Sequence, residues 1–178
     1  MDIALLVKIT SKAWSLKILS LLHSGVPGRQ APLIAATEAS RSSFAASLQH
    51  LGKLGLLERN PGHGHPLRPE FRLTQDGKIA AAMAHRILEL VPEDPDFSIV
   101  RRSWVVPVLA LTEKPKRFSI IKAGLGTITD RALSQSLYML EDQEWLKRDF
   151  DLSERRPFPT YLAINRGEKI SKAAGLHS

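Results

Sequence analysis

The chain has 178 residues, 43% hydrophobic and 24% charged, the balance of a folded globular protein rather than a disordered or fibrous one. Lysine and arginine number 25 against 18 aspartate and glutamate, a formal charge of +7 with a pI near 9.9, which favours polyanionic partners such as nucleic acid. There is no cysteine, so disulfides, thiolate metal sites and thiol switches are excluded.

No apolar run approaches the roughly eighteen residues of a membrane span, and Met1 to Lys8 lack a basic leader region. The expected compartment is the cytoplasm, with no membrane contact. Trp14 to Leu22 reads as an amphipathic helix with Trp14, Ile18, Leu21 and Leu22 on one face, stopped by Gly25-Val26-Pro27-Gly28. Pro32 to Thr37 suits a short second helix. Ser40 is a good N-cap for a third, in which Phe44, Leu48, Leu51 and Leu54 step along one buried face until Gly55 ends it. Leu56 to Arg59 has strand character, Asn60 to Pro69 a turn-rich loop composition, and Glu70 to Leu73 that of a returning strand. Gly77 to Val91 is expected to be a longer helix with Ile79, Met83, Ile87 and Leu90 on one face, ended by Pro92-Glu93-Asp94-Pro95-Asp96. That acidic stretch divides the chain into units spanning 1–92 and 93–178.

The second unit repeats the order. Trp104 to Leu111 and Phe118 to Ala123 read as helices, and Thr129 caps a third over Asp130 to Asp142, buried through Leu133, Leu137 and Leu140. Trp145 to Asp149 and Thr160 to Ile164 form a hairpin around Leu152 to Pro159.

The chain in fact aligns with itself at an offset of 89 or 90 residues. Trp14, Leu19 and Leu21 match Trp104, Leu109 and Leu111; Ser47, Leu48, Leu51, Leu57 and Arg59 match Ser136, Leu137, Leu140, Leu146 and Arg148. Gly77 matches Gly167, with the same tryptophan-to-glycine spacing in both copies. Three helices with an appended hairpin make a winged helix-turn-helix. The expected class is mainly α with small β-hairpins (α+β), two winged helix-turn-helix units in tandem as a pseudo-dimer.

The resemblance extends to sequence. Arg117-Phe118-Ser119, Thr129-Asp130-Arg131-Ala132-Leu133-Ser134-Gln135-Ser136-Leu137 and Arg156-Pro157-Phe158-Pro159-Thr160-Tyr161 resemble the HxlR-type transcriptional regulators, a branch near the MarR regulators. Ser40 to Arg59 and Pro66 to Gly77 resemble them more loosely. The resemblance implies a bacterial regulator that binds specific sequences of double-stranded DNA; no cofactor is expected from the sequence. Usual members carry one unit and dimerise, whereas this chain carries two, and the N-terminal cysteine frequent in the family is absent.

On the third helix of the second unit, the face opposite Leu133 and Leu137 presents Arg131, Ser134, Gln135 and Tyr138. Arginine pairs with guanine and glutamine with adenine in the major groove, and hydroxyls reach phosphates or either base. The first unit offers Arg41, Ser42, Ser43, Ala45, Ala46 and Gln49, a poorer set, so the second unit is expected to dominate specificity. Helix starts near Ser40 and Thr129 suit phosphate. Arg68, Arg155 and Arg156 are hairpin candidates for backbone or minor groove, while Arg59 and Arg148 suit either DNA contact or hairpin stabilisation. His63-Gly64-His65 is a weak metal signal, better read as a wing tip. The first unit is net +5 and the second net +2, consistent with two DNA-facing units. A small-molecule effector would fit between linker helix and core, and a monomer or homodimer would serve. No enzymatic motif emerges. The competing reading is a tandem winged-helix module that binds protein in a chromosome-condensation complex.

Overall fold

The computed structural model describes residues 1–176; residues 177 and 178 of the second unit lie outside the described residues. The first unit opens with α1 (Ile3–Thr10), followed by α2 (Ser15–His23), α3 (Gln30–Thr37) and α4 (Arg41–Lys53). The hairpin β1 (Leu57–His65) and β2 (Arg68–Leu73) comes next, and α5 (Gln75–Glu89) completes the unit. The second unit runs α6 (Asp96–Val100), α7 (Val105–Leu111), β3 (Lys116–Arg117), α8 (Phe118–Leu125), α9 (Asp130–Asp142), β4 (Leu146–Asp151), β5 (Phe158–Ala163) and α10 (Asn165–Ala174). The fold is therefore two winged helix-turn-helix units in tandem, mainly helical with small antiparallel sheets.

Local chemistry explains the reading helices. Ser40 Oγ accepts the Ser43 N–H at 3.2 Å, and Thr129 Oγ1 accepts the Ala132 N–H at 3.1 Å, each satisfying one donor that a helix start leaves free. Phe44, Ser47 and Leu51 then bury one face of α4, and Leu133, Ser136, Leu137 and Leu140 the matching face of α9. Leu48 and Leu54, expected in the core, are only half-buried. In α2 the fully buried apolar positions are Leu16, Ile18 and Leu19, while Trp14, Leu21 and Leu22 are half-buried at its edge. The helix is covered by α5 on one side and by α4 on another, so its apolar stripe is broader and rotated from the sequence reading.

The wings are longer than expected. The expected loop over residues 60–69 narrows to a turn at Pro66-Leu67: β1 and β2 pair again at Gly64↔Pro69 and His65↔Arg68, past an irregularity between Arg59 and Gly64. Backbone pairing there needs no apolar side chains, which is why the composition read as a turn. The second wing is a three-stranded sheet in the order β3-β5-β4, and in the first unit a single bridge, Arg29↔Glu70, stands where β3 would be.

Helices α1, α6 and α10 carry no expectation from the sequence, yet they bind the units together. α5 and α10, the equivalent last helices, pack on each other, and α1 of the first unit packs on α7 and α8 of the second. In the opposite sense Phe97 and Arg101 of the second unit pack on Trp14 of the first. This exchange is the approximate two-fold pattern of an isologous interface. Of the face expected for α5, Met83 and Ile87 are buried, Leu90 is half-buried and Ile79 is 58% exposed; Ala80, Ala81, Ala84 and Leu88 complete the buried face. The small alanines let α2 and α5 approach closely, and Ile79 is left outside that seam.

Candidate nucleic-acid interface

On α9 the expected reading residues share the outward face. Arg131, Ser134, Gln135 and Tyr138 are all exposed, Tyr138 to 74%, while their neighbours Leu133, Ser136 and Leu137 anchor the helix beneath them. A side chain that is exposed on a helix fixed from below can reach a groove without distorting the core. Arg131 makes no ion pair among the described residues. Asp130, one residue earlier, is held by Lys122 at 2.5 Å, which neutralises the one carboxylate at the start of this helix.

In the first unit Arg41, Ser42, Ser43, Ala45, Ala46 and Gln49 are likewise exposed on α4. Ser43 spends its backbone N–H on the Ser40 cap, and Ser40 Oγ lies 3.4 Å from Ser42 Oγ. Arg41 and Arg68 line one groove of about 960 Å³ between α3, the start of α4 and the wing, together with Arg29, Gln30 and His65. His65 is a wing-tip residue that the sequence already offers for phosphate, whereas Arg29 and Gln30 carry no such expectation. The available signal was positional: Arg29 immediately precedes the second helix, as Arg117 does in the second unit. Arg29 lies 3.7 Å from Glu70 and stays 64% exposed.

The two wings differ in how their charges are spent. Leu67, beside Arg68 at the first tip, is 85% exposed, and residues 61–68 contain no acid. In the second, Arg117 donates to Glu154 at 2.9 Å and to Asp151 at 3.4 Å and stacks on Phe158 at 4.0 Å. Hydrogen bonds from Ser153, with a smaller contribution from Arg117, hold the Asp151 carboxyl below the ordinary aspartate range. Lys147 pairs with Asp149. Arg155 and Arg156 lie in the exposed loop between β4 and β5 and form no ion pair among the described residues. Arg59 and Arg148 are exposed on β1 and β4, and Arg148 lies over the Phe150 ring at 5.5 Å.

The family model described as HxlR-like helix-turn-helix matches residues 9–94 and again 99–174. The chain belongs to the HxlR-like helix-turn-helix family. It carries the family domain twice, as DNA-binding, transcription-regulating winged helix-turn-helix units. No curated protein and no solved structure was found to match it. Among the described residues of this HxlR-like chain no three His, Asp or Glu side chains gather where a metal could be held, His63 and His65 included. No helix among them is long and apolar enough to cross a membrane.

Proposed function

We propose that this HxlR-like chain regulates transcription by binding a specific sequence of double-stranded DNA, with α4 and α9 in successive major grooves and the wings on backbone or minor groove. The units take residues 1–92 and 93–178. The observation that carries the reading is the α9 face, where Arg131, Ser134, Gln135 and Tyr138 stand exposed above a buried leucine seam. Beside the Ser40 and Thr129 caps, the remaining N–H groups that open α4 and α9 suit phosphate. Arg155 and Arg156 serve backbone or minor groove in the second unit.

The first unit contributes chiefly through phosphates. Its groove gathers Arg29, Arg41 and Arg68, whereas its helix face offers two alanines and, for adenine, Gln49. Unlike reading heads related by an approximate two-fold axis favour an asymmetric operator, its half-sites about one helical turn, roughly 34 Å, apart.

The test is fluorescence-anisotropy titration of the parent and Arg131→Ala against random and genome-selected duplexes at two salt concentrations. Salt-sensitive binding in which the selected site loses its advantage on removal of Arg131, while random-site binding survives, supports the reading. Absence of salt-sensitive binding to every duplex would replace it with the protein-binding module.

A further inference from the structure

The two units meet at a stack that no symmetry requires. Arg101, the C-cap of α6 in the second unit, lays its guanidinium over the Trp14 ring of the first at 4.1 Å, with Phe97 at 5.4 Å. Trp14 and Phe97 are 6.0 Å apart, and Lys17 of α2 lies over Phe97 at 5.3 Å. Arg101 Nε is buried and makes no hydrogen bond, and the guanidinium lies over both rings with the Asp94 carboxylate within reach of its charge. At the position that matches Arg101 in the duplication the residue is Ser11, whose hydroxyl donates to the Lys8 carbonyl at 2.7 Å. Among the described residues a cation lies over Trp14 and none over Trp104.

This joint touches a reading helix directly. The backbone N–H of Trp14 donates to Ser47 Oγ on α4 at 3.3 Å, and Ser47 is buried. The equivalent Ser136 of α9 spends its hydroxyl inside its own helix, on the Ala132 carbonyl. A second tie runs from α4 through His50 Nε2, 2.6 Å from the Lys8 carbonyl of α1, and α1 in turn packs on α7 and α8 of the second unit. α4 is therefore tied, through Trp14 and α1 of its own unit, to two elements that pack on the second unit.

We propose that Arg101 is a positioning residue which, stacked on Trp14 and Phe97, holds α4 at a set distance from α9 and so selects the half-site spacing the chain accepts. This rests on the DNA-binding reading above. Two linked binding units gain affinity only when their geometry meets both sites at once. A stiff joint rewards one spacing, and a loose joint spreads the gain thinly over several.

The chain lacks cysteine, so cysteines introduced at Lys53 and Asp142, at the ends of the two reading helices, accept spin labels without background. Double electron–electron resonance should give one narrow distance peak for this labelled chain and a broadened distribution once Arg101→Met is added; Arg101→Lys should fall between. Unlabelled chains are then titrated against the duplex selected by the parent, against versions with up to about five inserted base pairs, half a turn, and against a single half-site. Arg101→Met should lose about tenfold on the selected spacing, discriminate less among spacings and bind the half-site unchanged. Circular dichroism melts show that the variant is folded. An unchanged distance distribution, or equal losses on full site and half-site, would overturn the proposal. If the parent binds no duplex, the spacing claim falls with the function, while the distance measurement still decides whether Arg101 stiffens the joint.

Discussion

Gly167 lies so close to Trp145 that a Cβ on the glycine would stand 2.0 Å from the Trp145 carbonyl oxygen. Gly77 stands in the same relation to Leu56, at 1.9 Å. In both units the final helix thus starts directly against the backbone that leads into the wing, and only a residue without a side chain fits. Gly77→Ala and Gly167→Ala should each destabilise the chain by about 1–3 kcal/mol. Gly52→Ala, in an α4 position with open space around the added carbon, should stabilise by about 0.5–1 kcal/mol. Urea denaturation of the three variants checks the contrast, and equal midpoints would refute it.

The duplication supplies its own stability test. Gly55 follows α4 at φ +73°, and the matching residue after α9 is Glu144 at φ +56°. Conversely, Glu38 closes α3 at φ +63°, where Gly126 closes α8 at φ +73°. Each unit uses glycine where the other strains a glutamate. Glu144→Gly and Glu38→Gly should each raise stability by about 1 kcal/mol, read as a higher urea midpoint with unchanged slope. The backbone carbonyl of Glu144 that accepts from Asn165 Nδ2 survives the change.

Phosphate and base contacts leave different signatures. Arg41→Ala and Arg68→Ala should weaken binding to selected and random duplexes alike and lower the salt slope by about 0.9 each. Gln135→Ala should cost about 1–3 kcal/mol on the selected duplex alone. Titrations over a salt series separate the two classes, and a salt slope untouched by Arg68→Ala would remove the first wing from the interface.

The second wing should respond to acid. The Asp151 carboxyl is lowered by Ser153 and then by Arg117, so it binds protons less readily folded than unfolded. Its contribution is complete above the ordinary aspartate value, about pH 4, and is lost as pH falls through the lower folded value. Protonation frees Arg117 from one of its two carboxylates. Asp151→Asn should lower stability above pH 4 and flatten its decline below, as read by thermal melts over pH 2–7; parallel curves for parent and variant would show that the carboxylate is not coupled to folding.

Much of this molecule was legible in the sequence because its determinants are local. Thr129 as a cap and the spacing of Leu133, Leu137 and Leu140 define α9 over Asp130–Asp142, and the same periodicity leaves Arg131, Ser134, Gln135 and Tyr138 outward. The matched tryptophans, leucines and glycines disclose the duplication, since two copies of one unit keep the same packing requirements. Resemblance then supplied the family.

Other features depend on contacts between residues distant in the chain. The wing-tip pairing at Gly64 and His65 is held by backbone hydrogen bonds that leave no hydrophobic pattern. Ile79 is exposed because the alanine seam between α2 and α5 decides which face of α5 is covered. Arg29 joins Arg41 and Arg68 only once α3 and the wing are folded beside each other. The stack of Arg101 on Trp14 spans the boundary between the units. The sequence by itself determined the helices and their repeated order, through local periodicity and capping; the tertiary structure alone decided which charges meet and how the reading helices are held apart, because those depend on which surfaces the packed units bury against each other.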